Sequence, residues 1–184
     1  PAVQGQPGAA TVALSLPAMR ANAEWPQLGG GPTHNPGHAA IGQGLTPIWS
    51  ASIGQPAGRR HRITADPIVG GGLLYTKDSG ARVTATTPSG QTAWTSNLVP
   101  AGEVGESVSG GGIAYDGGRV YVTTGYGELV ALDARSGGVI WRQRVDAVIS
   151  GSPTVDRGMV YVMARNATGW AIRASDGRVQ WQVG

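Results

Sequence analysis

Ala131-Leu132-Asp133-Ala134-Arg135-Ser136-Gly137-Gly138-Val139-Ile140-Trp141 decides the fold. Leu129 to Asp133 is a short apolar run of strand type, and Arg135-Ser136-Gly137-Gly138 turns the chain. Asp133 can accept hydrogen bonds from N–H groups two or three residues on, and Gly137 can supply a positive φ that other residues adopt only at a cost. Beyond the turn, Val139 to Val145 alternates, with Val139, Trp141 and Val145 on one face and Arg142 and Arg144 on the other. That is the pattern of a strand buried on one side. Upstream, Gly118 to Val122 reads as a strand and Thr124 to Gly127 as its turn.

The same unit recurs along the chain. Trp49, Trp94, Trp141 and Trp181 lie 45, 47 and 40 residues apart, and the last three each follow a glycine by four: Gly90, Gly137 and Gly177. Tyr75, Tyr121 and Tyr161 precede those three tryptophans by 19, 20 and 20 residues. Thr86 and Arg173 stand where Asp133 does, so glycine and tryptophan carry the repeat. The next unit reads Ser152 to Val155, Met159 to Val162, Trp170 to Ile172 and Val179 to Val183. Four short antiparallel strands per unit, at a period in the 20–50-residue range, predict an all-β propeller blade. Gly90, Trp94, Asp133, Gly137, Trp141, Gly177 and Trp181 are its structural residues, with each indole in the core between neighbouring blades.

Composition agrees with a turn-rich β protein. Glycine and proline make up 43 of 184 residues, below the level of low-complexity disorder, and no apolar run is long enough for a membrane helix. Thirteen scattered Arg and the single Lys77 against eleven acids give +3, which does not indicate nucleic acid. Without cysteine there is no disulfide, thiolate metal site or cysteine nucleophile. No basic segment precedes Ala9 to Leu14, so a processed or truncated N-terminus is expected, with 1–24 as an extended or disordered arm and 25–184 as propeller. Blades are expected near 62–97, 108–145 and 150–184, with a lone strand near 47–52.

The stretch from Ala131 to Trp141 resembles the quinoprotein-type (PQQ-like) β-propeller repeat, whose core is Ala-x-Asp-x-x-x-Gly-x-x-x-Trp. Trp25 to His34, Arg62 to Pro67 and Gly110 to Gly118 are similar to the BamB-type outer-membrane assembly factors. The resemblance implies a partial ring of three full four-stranded blades plus one spare strand, from a chain whose relatives carry about eight blades. It also implies a non-enzymatic scaffold of the outer-membrane β-barrel assembly machinery, which is periplasmic and lipid-anchored in its precursor. Such a scaffold binds the pore subunit and helps deliver nascent outer-membrane proteins without a cofactor. The fragment itself is expected to associate with a second copy through open propeller edges.

The rival reading is a dehydrogenase, because the same repeat builds enzymes that hold pyrroloquinoline quinone and calcium over the ring axis. Those enzymes carry a vicinal cysteine pair, absent here, and calcium ligands that Glu103, Glu106, Asp116 and Asn97 do not assemble. No catalytic or metal-ligating set is expected. His34 and His38 have zinc-pair spacing but are separated by Pro36 and Gly37, which break any helix. Arg59-Arg60-His61-Arg62 could grip anionic headgroups, but the reading preferred for it is a solvated inter-blade loop. The loop Asp146 to Gly151 occupies the place where BamB relatives carry a Leu-x-Leu-Arg run against the pore subunit, which implies partner binding at Val148, Ile149 and Ser150. Ser150 replaces the arginine, and the apolar pair could instead cover the blade end.

Overall fold

Each repeat has too few apolar residues to bury a core alone, so its sheets must cover one another. The computed structural model describes residues 15–42, 44–59, 61–103, 110–145 and 147–184. Among them lie three four-stranded antiparallel sheets in simple up-and-down order. The first holds β1 (Ile68–Gly70), β2 (Leu73–Lys77), β3 (Arg82–Thr86) and β4 (Thr92–Asn97). The second holds β5 (Ile113–Asp116), β6 (Arg119–Thr123), β7 (Glu128–Asp133) and β8 (Val139–Arg144). The third holds β9 (Thr154–Asp156), β10 (Met159–Met163), β11 (Gly169–Arg173) and β12 (Val179–Val183). The protein is all-β, as the repeat predicts, apart from one 3-10 turn at Leu28–Gly30 among the described residues. Among the described residues no helix is long and apolar enough to cross a membrane.

Simple alternation along the fourth strand does not survive. In each sheet the register slips by one residue just before the tryptophan: Ala85 pairs with Trp94 but Thr86 with Thr92, Ala131 with Trp141 but Leu132 with Val139, and Ala171 with Trp181 but Ile172 with Val179. The skipped residues are Ala93, Ile140 and Gln180. A bulge lets two residues face one and turns the strand. Val139 and Ile140 consequently stay exposed, which corrects the expectation that Val139 shares a buried face with Trp141.

The bulge aims each indole at the next blade. A Cβ at Gly137 would collide with the ring of Trp94, and one at Gly177 would lie 2.8 Å from Cε3 of Trp141. Both glycines also have positive φ, +72° and +76°, so the turn needs glycine for conformation and for closeness at once. Trp94 Nε1 donates to the Ala134 carbonyl at 2.9 Å, and Tyr75 OH reaches the same oxygen at 3.3 Å. Trp141 Nε1 and Tyr121 OH repeat this on Ala174, at 3.1 and 3.3 Å, and Arg119 adds a third donor at 2.7 Å. Asp133 accepts from the Arg135 and Ser136 amides and the Ser136 hydroxyl, which hold its carboxyl below the usual range.

Two cores result. One packs Tyr75, Val83 and Trp94 against Ile113, Val122 and Leu132, and the other packs Tyr121, Leu129 and Ala131 against Val155, Val160 and Ile172. Trp181 is not core, contrary to expectation: its ring lies tilted against Tyr161, centroids 6.0 Å apart, but it is 46% exposed, because no described glycine turn lies against it. Burial of the indole of one blade is a property of the following blade.

Of the expected arm, residues 1–14 lie outside the described residues, and Arg20 forms a single parallel bridge with Ala39. The expected strand at 47–52 pairs with no described strand, since a strand exists only through the neighbour that takes its backbone groups. Trp49 nevertheless sits on Gly90 and donates to the Pro88 carbonyl at 2.8 Å. Ile53 accepts from Thr84, and the Gln55 amide donates to Asp78 at 2.8 Å. Residues 49–55 therefore cover the outer face of the first blade, which is not open as expected.

Candidate functional site

The rim loop after β8 is pinned by its backbone. The Val148 carbonyl accepts from the Arg165 amide at 2.9 Å, Ile149 bridges Ala164, and the Ser150 carbonyl accepts from the Gly111 amide at 3.1 Å. Asp146 lies outside the described residues. The alternation imposed by the bridge at Ile149 sends its side chain inward, into the core with Leu129, Val145 and Val160, where it is 0% exposed. The apolar pair is thus split, and Ile149 has no surface to offer a partner. Val148 stays half-buried and Ser150 is exposed. Val148 lines an open cleft with Glu103, Tyr126, Arg144 and Ala147. Arg144 of β8 lines the same cleft, a placement that no loop spacing could reveal.

A second feature lies where the three blades converge. The first strands β1, β5 and β9 contact one another in succession, each presenting a free edge inward. Residues 24–27 run across these edges. Trp25 exchanges two backbone hydrogen bonds with Val69, at 2.8 and 2.9 Å, and the Pro26 carbonyl accepts from the Tyr115 amide at 2.7 Å. The Gln27 side chain donates from Nε2 to the Val155 carbonyl and accepts at Oε1 from the Val155 amide, both at 2.8 Å. Glu24 takes the Gly71 amide at 2.9 Å, and Gly30 lies 3.1 Å, as a virtual Cβ, from the indole of Trp25. His34 Nδ1 lies 2.7 Å from the Leu28 carbonyl and Nε2 3.2 Å from the Thr154 hydroxyl. The histidine read as half of a zinc-spaced pair is a strut between the strap and the third blade.

No group of three or more His, Cys, Asp or Glu side chains among the described residues is placed to hold a metal ion. The amide and carbonyl of Val69 and of Val155, and the amide of Tyr115, are bonded to the strap. Lys77 is buried at the end of β2 and donates to the Gly110 carbonyl at 2.8 Å; burial lowers its pKa to about 8, against the opposing pull of Asp78. Its counterpart Thr123 donates to the Gly151 carbonyl at 2.6 Å, so both tie one blade to the approach of the next. In the basic run, Arg59 and Arg62 are exposed and Arg60 lies outside the described residues.

Known proteins give the context. The chain is 25% identical over 138 residues to outer membrane protein assembly factor BamB of Nitrosomonas eutropha, covering 74% of this chain and 31% of that protein. It is 30% identical over 141 residues to quinohemoprotein alcohol dehydrogenase of Comamonas testosteroni, covering 71% and 19%. The crystal structure of that dehydrogenase superposes with a TM-score of 0.70 at 26% identity, over 87% of this chain and 27% of that one. BamB of Moraxella catarrhalis superposes with a TM-score of 0.56 at 22% identity, over 68% and 37%, which supports the fold. The chain spans about a third of the length of the assembly factors it matches. A family model described as outer membrane protein assembly factor BamB matches residues 79–184, more than half of the chain, and the chain belongs to that family.

Proposed function

We propose that the chain forms part of a non-enzymatic scaffold of the outer-membrane β-barrel assembly machinery, on the periplasmic side and lipid-anchored in its precursor. It binds the pore subunit and helps deliver outer-membrane proteins. The observation that carries this reading, beside the family, is the axis: Trp25, Pro26 and Gln27 bond to the inner edge of each blade in turn. A space filled by the chain's own residues gives the rigid frame that a scaffold needs. Likeness to the quinohemoprotein dehydrogenase favours the second reading, an enzyme using pyrroloquinoline quinone.

The rim offers the partner surface, reduced to Val148 and Ser150 beside Tyr126 and Arg144. Val148→Asp is expected to weaken capture of the pore subunit several-fold while stability changes by less than about 1 kcal/mol. Ile149→Asp is expected to cost about 3–5 kcal/mol by burying an unpaired carboxylate, whatever its partner. Unchanged capture by folded Val148→Asp protein would remove the loop from the interface. Saturable quinone binding with calcium, seen by calorimetry on the unmodified protein, would favour the enzyme.

A further inference from the structure

We propose that the converging inner edges of β1, β5 and β9 form an axial groove for an extended peptide, which this chain fills with its own residues 24–27. Edge strands present unpaired backbone groups that an added extended segment satisfies. Here the match is residue by residue. The first blade offers a donor and an acceptor at Val69, and Trp25 returns both from its main chain. The second uses only a donor, the Tyr115 amide, and it is met by Pro26, which has a carbonyl but no N–H to leave unsatisfied. The third again offers both at Val155, but the main chain has begun its 3-10 turn at Leu28–Gly30. The Gln27 amide supplies the missing pair instead, because a carboxamide carries a donor and an acceptor spaced like those of a peptide group.

Gln27 is 4% exposed, so only a side chain able to satisfy both Val155 groups fits without leaving a buried polar atom bare. The groove therefore selects an extended segment of the pattern aromatic, Pro, Gln. Supplied from the same chain, the strap sits at an effective concentration on the order of millimolar, which keeps a free peptide out at micromolar concentration. The inference is independent of what the rim loop binds.

The probe is a fluorescein-labelled synthetic peptide of residues 22–34, added to the full chain and read by anisotropy. The unmodified protein is expected to bind weakly and the Trp25→Ala/Gln27→Ala double variant at least tenfold more tightly. The same peptide carrying Gln27→Ala is expected to lose that gain. A folded double variant that binds the peptide no better than the unmodified protein overturns the proposal, as does equal binding of the Gln27→Ala peptide. If the double variant does not fold, hydrogen exchange on the unmodified protein decides. The Val69, Tyr115 and Val155 amides should open together, faster than the central strands, and slow when excess peptide is added. Exchange of these amides only with global unfolding, or without any effect of peptide, overturns it.

Discussion

Glycine acts twice at Gly137, through its backbone and through the space above it. Gly72 shares the positive φ, +80° against +72°, but has nothing within 4 Å of a virtual Cβ. Gly72→Ala is expected to cost about 1–2 kcal/mol, the penalty of the left-handed conformation alone. Gly137→Ala adds the collision with the Trp94 ring, for a total of roughly 3–5 kcal/mol. Denaturant melts compare the two, and equal costs would show that the indole does not rest on the glycine. A spacing of four residues made Gly137 and Trp141 visible as a pair, yet the glycine's partner is Trp94 of the preceding blade. Periodicity identifies equivalent positions without saying which equivalents touch.

Lys77 contributes to the pH response. Its folded pKa, about 8, lies below the unfolded value, so between about pH 8 and 10 the unfolded chain binds more protons than the folded one. Stability from this residue therefore rises with pH in that window, by on the order of 2 kcal/mol. Above pH 10 the buried Tyr75, whose pKa is raised to about 12 chiefly by burial, opposes the rise, since the unfolded phenol ionises first. Urea melts at pH 7.5, 8.5 and 9.5 should show the increase, and Lys77→Met should flatten it. Stability that falls with pH in the unmodified protein over this range would contradict the assignment.

At the scale of the element, the bulge before each tryptophan turns one strand into a latch. Trp141 and Trp181 occupy the same position in β8 and β12, but only Trp141 has a glycine turn and a carbonyl acceptor against it. Trp141→Ala is expected to cost roughly 3–5 kcal/mol, and Trp181→Ala about 1 kcal/mol, because half of its surface is already in water. Thermal melts of the two variants check the contrast. The strands were legible from alternation and turn residues, whereas the bulges were not, because one skipped residue leaves the spacing of Gly and Trp unchanged. The same blindness misplaced Ile149: two adjacent apolar residues on a loop look alike in sequence, and only the bridge to Ala164 decides which one points inward.

At the scale of the whole molecule, the two end faces differ. Residues 49–55 cover the first blade, while the face of the third leaves Tyr161, Met163, Trp170, Trp181 and Val183 around an open apolar groove. A bare face of this kind favours self-association. Sedimentation equilibrium at tens of micromolar is expected to show species above 18.8 kDa, and Trp181→Glu to shift them toward monomer. A well-behaved monomer of the unmodified chain would show that the face is tolerated in water.

The sequence by itself determined the repeat, the four-stranded blade, the turn glycines and the all-β class, because each depends on residues within about 45 positions and on local alternation. Tertiary structure decided what joins the blades: that Trp94 meets Gly137, that Trp181 stays wet, and that Val148 and Ile149 part company. It also decided that Gln27 reaches Val155, 128 residues away, to fasten the third blade at the axis. That last contact joins two single residues at a separation no repeat sets, so no period in the chain encodes it, and it exists only once the blades have converged.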